Sequence, residues 1–263
     1  MKRINLIMAI LVIIIINFSI LIFGEEAIKN IEKSFAVNEW TKLYVKNVNG
    51  DVVVSSWDKN EIYIKANVLA RDKEQLDNTF MKIEKFGNDI KVEVKYSEER
   101  YDSFWSFISY LKNLVRHSKS IVDIQINMPK KIDLVKIDTV NGDINVREVE
   151  TTLKVETVNG EIELANVGKG VKAETVNGSI EVILNQLNED VNLETVNGRI
   201  RLYLPSDAKA NVRAANINGS IKTDFPLKIK GEIVGKNISG KIGVGGKKIN
   251  CETVNGSIYI LKK

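Results

Sequence analysis

Apolar and polar positions alternate along most of the chain, and the alternation breaks again and again at an Asn-Gly pair. One unit carries Val171, Ala173 and Thr175 before the pair and Ile180, Val182 and Leu184 after it. The next carries Val191, Leu193 and Thr195, then Ile200, Leu202 and Leu204. Period-two patterning on both sides of a glycine predicts two half-buried strands per unit. The wealth of β-branched residues and the recurring glycine exclude helix there.

The units form an internal repeat. Asp138-Thr-Val-Asn-Gly-Asp-Ile144 is followed by related segments with glycines at Gly160, Gly178, Gly198, Gly219, Gly240 and Gly256. The spacings from Gly142 onward are 18, 18, 20, 21, 21 and 16 residues. An eighth copy, Lys46-Asn-Val-Asn-Gly-Asp-Val52, stands apart near the start.

Two arrangements satisfy this grammar. An Asn-Gly pair between alternating strands is a strong hairpin signal. Alternatively each unit is one coil of a β-solenoid, with Asn-Gly turning the corner between two sheets. The residue before the asparagine or serine is apolar in every copy from Val140 to Val254, which suits a corner that turns it inward. A hairpin would also set Glu156 opposite Glu163 and Glu174 opposite Glu181, at a like-charge penalty. The solenoid is favoured, and stacked hairpins remain open. In the solenoid, coils about 4.8 Å apart align Asn141, Asn159, Asn177 and Asn197 into an amide ladder. Val176 and Ile180 belong to its core.

Residues 25–129 read as a β-rich N-terminal cap and residues 130–263 as the repeat array. Within the cap, Trp40 to Lys46 and Asp51 to Ser55 flank the first Asn-Gly, and Ile62, Ile64, Ala66 and Val68 alternate as a strand. Asp72 N-caps a short helix running to about Thr79. Met81 to Phe86 pairs with Ile90 to Tyr96 across Gly87-Asn88-Asp89. At about 97–120 the pattern changes to helical spacing, with Phe104, Ile108, Leu111 and Val115 on one side and Lys112 and Arg116 opposite. This insertion plugs the end of the core or touches lipid or a partner.

The first residues add a location. Lys2 and Arg3 precede an apolar run, residues 4–23, and Glu25 and Glu26 follow it. That charge order places the remainder outside the cytoplasm. Residues 1–24 are either an uncleaved single-pass anchor, with the membrane as partner through 4–23, or a signal peptide cut near Gly24. The single cysteine, Cys251, permits neither an internal disulfide nor a lipid just after the signal.

Near the C-terminus Leu204-Pro-Ser-Asp-Ala-Lys-Ala-Asn-Val212 is followed by Lys222-Thr-Asp-Phe-Pro-Leu227, Gly240-Lys-Ile-Gly-Val-Gly-Gly246 and Thr253-Val-Asn-Gly-Ser-Ile-Tyr-Ile260. With the early Asn-Val-Asn-Gly-Asp-Val-Val-Val and Ser56-Trp57-Asp58, this order resembles a bacterial candidate-adhesin family, domain of unknown function 4097. The resemblance covers roughly Ser34 to Lys262, and the aromatic stretch between Tyr101 and Leu114 departs from it. It implies an exported, β-solenoid-like domain and supplies no catalytic residues.

Candidate chemistry is sparse. Formal charge is +4, from 38 basic and 34 acidic side chains interleaved along the strands, which gives no footprint for nucleic acid. His117, the sole histidine, has no acid–base partner in its pattern. Cys251 occupies a slot filled elsewhere by Val155, Ala173, Leu193 and Ala214, so it reads as core. Asp138, Glu156, Glu174, Glu194 and Glu252 would stack as a carboxylate column, a conceivable calcium site, but Lys136, Lys154 and Lys172 share that face. Leu204-Pro-Ser-Asp is internal and not a sorting signal. The sequons headed by Asn177, Asn218, Asn237 and Asn255 read as turn residues. No catalytic, cofactor or metal site is assigned.

The expectation is an all-β, non-enzymatic envelope protein acting as a scaffold or binding surface for an envelope protein or glycan, adhesin-like in character. A membrane-anchored sensor or regulatory domain is the alternative, and a polysaccharide-acting β-helix enzyme is a distant third.

Overall fold

The computed structural model describes residues 20–23, 26–95, 120–231 and 236–263. It is all-β apart from one five-residue helix, and its strands form two eleven-stranded sheets. Each Asn-Gly unit sends one strand into each sheet. Val171–Asn177 lies in one and Ile180–Leu184 in the other, and both pair in parallel with the strands of the next unit. Matching residues stand beside one another: Val155 next to Ala173, Ala173 next to Leu193, Ile162 next to Ile180, Ile180 next to Ile200. The coil arrangement is therefore realised and the hairpin arrangement is not.

The alternation writes itself into burial. Val171, Ala173, Ile180, Val182 and Leu184 are all at most 3 % exposed, and their counterparts in the other coils form one continuous dry core between the sheets. Isolated two-strand units could not bury such a face alone, so each coil depends on its neighbours.

The order of coils in space differs from their order in the chain. The eighth copy, around Gly50, stacks directly on the coil of Gly142 through Lys42–Lys46 and Val52–Trp57. The coils of Gly160, Gly178 and Gly198 follow. The next layer is the last in sequence: Lys247–Asn255 and Ile258–Lys262 lie against Val191–Asn197 and Ile200–Leu204 on one side. On their other side stand Ala210–Asn218 and Ile221–Thr223. The copy around Gly240 is not a coil. Lys236–Ile242 runs antiparallel to Ala210–Asn218 and to Lys228–Gly231, closing the end of one sheet. That copy has Ser239 where the others have asparagine, so it lacks the amide that a stacked coil contributes.

At the opposite end Ile121–Pro129 and Asp89–Lys95 pair in parallel with the first coil, and antiparallel strands follow outside them. Glu26–Ala36, Glu61–Ala70 and Ile121–Pro129 finish one sheet, and the hairpin of Phe80–Phe86 with Asp89–Lys95 finishes the other. The helix Lys73–Asp77 begins as expected, with the Asp72 carboxylate accepting from the Gln75 N–H at 2.9 Å. Edges closed by antiparallel or short strands are how a stack avoids open-ended growth.

Of the apolar run, Ile20–Phe23 pairs as a strand with Glu26–Ala36, where the pattern predicted the end of a helix. The rest of 4–23, and the insertion expected at 97–120 up to residue 119, lie outside the described residues. Among the described residues no helix is long and apolar enough to cross a membrane.

Candidate binding face

The corner of each coil is built by three side-by-side ladders. In the first, each asparagine amide donates to the carbonyl oxygen of the asparagine before it. Asn141 bonds Asn49, Asn159 bonds Asn141, Asn177 bonds Asn159 and Asn197 bonds Asn177, at 2.8–2.9 Å. Asn255 bonds Asn197 and Asn218 bonds Asn255, each at 2.8 Å. In the second, each glycine N–H donates to the backbone carbonyl of the next asparagine, as from Gly142 to Asn159 at 3.0 Å and from Gly178 to Asn197 at 3.1 Å. In the third, the hydroxyls of Thr157, Thr175, Thr195 and Thr253 donate to the carbonyls of Gly142, Gly160, Gly178 and Gly198 at 2.9–3.2 Å. At the first coil Asn47 bonds the Gly50 carbonyl instead, and the buried Thr139 hydroxyl is left without a partner.

Close approach explains the glycines. A Cβ on Gly178 would stand 1.8 Å from the Gly160 carbonyl oxygen, and one on Gly198 would stand 1.8 Å from that of Gly178. The asparagine ladder is thus longer than the four rungs read from sequence, because the first and last units join it.

The residue before the asparagine does not turn inward along most of the array. Val48 and Val140 are buried, but Val176 is 41 % exposed, Val196 39 %, Val254 36 % and Ile217 51 %. Alternation continues to the corner, so these side chains share the outer sheet face with the lysine and glutamate columns. Val176 is therefore not a core residue, while Ile180, at 0 % exposure, is. Stacked in adjacent coils, the four make a contiguous apolar stripe, unlike the isolated exposed apolar residues any surface carries.

Beside the stripe runs the carboxylate column Asp138, Glu156, Glu174, Glu194 and Glu252, adjacent rung by rung. Over its first part lysines neutralise it: Lys136 lies 3.3 Å from Asp138, and Lys172 lies 2.7 Å from Glu174 and 3.6 Å from Glu156. Burial opposes the charge on Lys172, yet Glu174 and Glu156 outweigh it and raise its pKa. Burial also raises the Asp138 carboxyl, against the pull of Lys136, and one Asp138 oxygen has no hydrogen bond. Farther along, the lysine positions become Asn192 and Asn250. Asn250 donates to Asn192, and Asn192 to Glu194 at 2.7 Å. No cation pairs with Glu194 or Glu252 among the described residues. The side chains of Val196, Val254, Ile217, Glu194 and Glu252 line a shallow groove of about 510 Å³ bordered by Asn237.

Other candidates are structural or lie elsewhere. Cys251 is fully buried between Leu193 and Ala214, and burial pushes its thiol up to about 12. Asn177, Asn218 and Asn255 are rungs of the ladder, and Leu204 is a core residue. His117 lies outside the described residues. The groove had no sequence signature, since its floor comes from the coil inserted out of order.

Residues 29–261 match the family described as Toastrack DUF4097. The chain belongs to that family. Among solved structures this Toastrack chain is similar to a candidate cell adhesion protein from Clostridium sporogenes, at 20 % identity and a TM-score of 0.49, covering 89 % of this chain and all of that one. It is similar to a candidate adhesin from Bacteroides fragilis, at 13 % identity and a TM-score of 0.40, over 89 % of this chain and 97 % of the other. A candidate lipid binding protein from Parabacteroides distasonis also matches, at 13 % identity and a TM-score of 0.29, over 89 % and 96 %. No curated protein matches.

Proposed function

We propose that this Toastrack chain is a non-enzymatic envelope protein, held outside the cytoplasmic membrane by residues 4–23, whose array presents a binding face at the Val196–Val254–Ile217 groove. The observation that carries the reading is the coincidence, in one place, of an apolar stripe with Glu194 and Glu252, with which no cation pairs among the described residues. Along the earlier coils the same column is self-paired, as Lys136 with Asp138 and Lys172 with Glu156 and Glu174, and exposed pairs of that kind contribute little beyond solubility. A partner fitting the groove offers apolar side chains flanked by a cationic group, which pairs with Glu194 or Glu252. Such complementarity gives specificity and faster encounter more than raw affinity.

Membrane attachment is supported by the apolar run and by its flanking charges, Lys2 and Arg3 before it and Glu25 and Glu26 after it. An adhesin-like role, toward a surface protein or glycan, is one use of the binding face.

The test compares full-length wild type with a Val196→Asp/Ile217→Asp variant in capture from envelope extracts and in attachment of cells to surfaces. Both side chains are exposed, so the variant should unfold like wild type while losing the captured partner. Equal capture by the variant would remove the groove from the proposal, and absence of any envelope partner for wild type would remove the binding role.

A further inference from the structure

The ladders have a direction, and it leaves one unit different from the rest. Each glycine N–H is held by the coil that follows it in space: Gly50 by Asn141, Gly142 by Asn159, Gly160 by Asn177, Gly178 by Asn197, Gly198 by Asn255 and Gly256 by Asn218, at 2.8–3.1 Å. Gly219 belongs to the last coil. Among the described residues no carbonyl accepts its N–H, its φ is +145°, and it alone of the seven ladder glycines is exposed. The Asn218 side chain donates to Asn255, but its own oxygen receives no rung from beyond.

We propose that Asn218-Gly219 is a spontaneous deamidation site, and that the other six Asn-Gly pairs are protected by the stack. The Gly219 nitrogen attacks Cγ of Asn218, forming an N–Cγ bond. The Cγ–Nδ2 bond breaks, and the nitrogen leaves as ammonia with the proton lost from Gly219. The resulting succinimide takes up one water. Addition at Cγ yields aspartate, and addition at the backbone carbonyl yields isoaspartate, with no oxidant or reductant involved. A glycine follows the asparagine in all seven, and it offers no side chain to hinder attack. The asparagines are exposed in most coils, so access of water does not separate them. What separates them is the nucleophile: an amide N–H shared with a neighbouring carbonyl, its backbone clamped between two coils, cannot swing onto its own side chain without local opening.

Reaction at the end propagates. A carboxylate in place of the Asn218 amide can no longer donate to the Asn255 oxygen, and two acceptors then face each other. The carbonyl of Asn218 is also the acceptor for the Gly256 N–H at 2.8 Å. Distortion of the last coil therefore frees the next one, and the sites mature in the spatial order Asn218, Asn255, Asn197.

Peptide mapping of the full-length protein, aged at mildly alkaline pH and 37 °C, resolves aspartate and isoaspartate at each pair. Asn218 should convert about tenfold or more faster than Asn177, although both are followed by Gly-Ser. In concentrated urea the two rates should become equal. An Asn218→Ser variant should slow conversion at Asn255. Equal rates in the folded protein, or a preference for Asn218 that persists in urea, would overturn the proposal.

Discussion

Replacing Gly178 by alanine puts one methyl group into the most crowded part of the molecule. Its Cβ would lie 1.8 Å from the Gly160 carbonyl oxygen and 2.6 Å from the carbon, where real contacts stay above 3.0 Å. The obstacle is backbone, so relief requires the two coils to separate. Separation stretches three bonds: Gly160 N–H to Asn177 and the Thr175 hydroxyl to Gly160, each 3.1 Å, and the Asn177 amide to the Asn159 side-chain oxygen at 2.9 Å. At about 1 kcal/mol per bond, more where a group is left dry, the loss is roughly 3–5 kcal/mol. Gly87 is the control. It has a φ of +59° but nothing within 4 Å of its Cβ, so Gly87→Ala carries only the left-handed penalty of about 1–2 kcal/mol. Urea unfolding measures both, through the midpoint at unchanged slope. Equal losses for the two variants would refute close approach as the reason for the ladder glycines.

Two further outcomes follow from burial. Ile180→Asp should cost about 3–5 kcal/mol by placing a carboxylate in the core, whereas Val176→Asp, on the exposed stripe, should stay within about 1 kcal/mol. Thermal melts that rank them the other way would overturn the assignment of faces. Cys251 should resist thiol reagents in the folded protein and react once urea unfolds it. Its thiol is raised from 9.0 to about 12 in the fold, so between those values the native state keeps a proton that the unfolded chain loses. Stability should therefore fall as pH rises through that window, and Cys251→Ala should flatten the fall.

The coil architecture was legible because period two and the glycine spacing leave few ways to bury Ile162, Ile180 and Ile200 together. One premise of that reading was nevertheless mistaken. Val176, Val196, Val254 and Ile217 do not enter the core, and the like-charge objection to hairpins applies to coils as well, since Glu156 and Glu174 stand side by side with Lys172 relieving them. Coil order was hidden, since repeats this similar carry no mark of their neighbours. Lys236–Ile242 mimicked a unit, although Ser239 was a clue to its exclusion. Strand Glu26–Ala36 went unread because Ile28, Ile31 and Phe35 fall at helical intervals on a strand near the margin of its sheet. The groove depends on the out-of-order insertion and so left no pattern to read.

That insertion has a consequence for how the molecule is made. Val191–Asn197 and Ala210–Asn218 are not partners of each other; both wait for Lys247–Asn255. A polypeptide emerging N-terminus first can assemble the layers from Gly50 to Gly198 as it appears, but the layer of Gly219, with only the antiparallel Lys236–Ile242 beside it, has no coil to rest on until residues 247–262 arrive. The tail acts as a keystone, and clipping it would take a course out of the middle of the wall while leaving the outermost one unsupported.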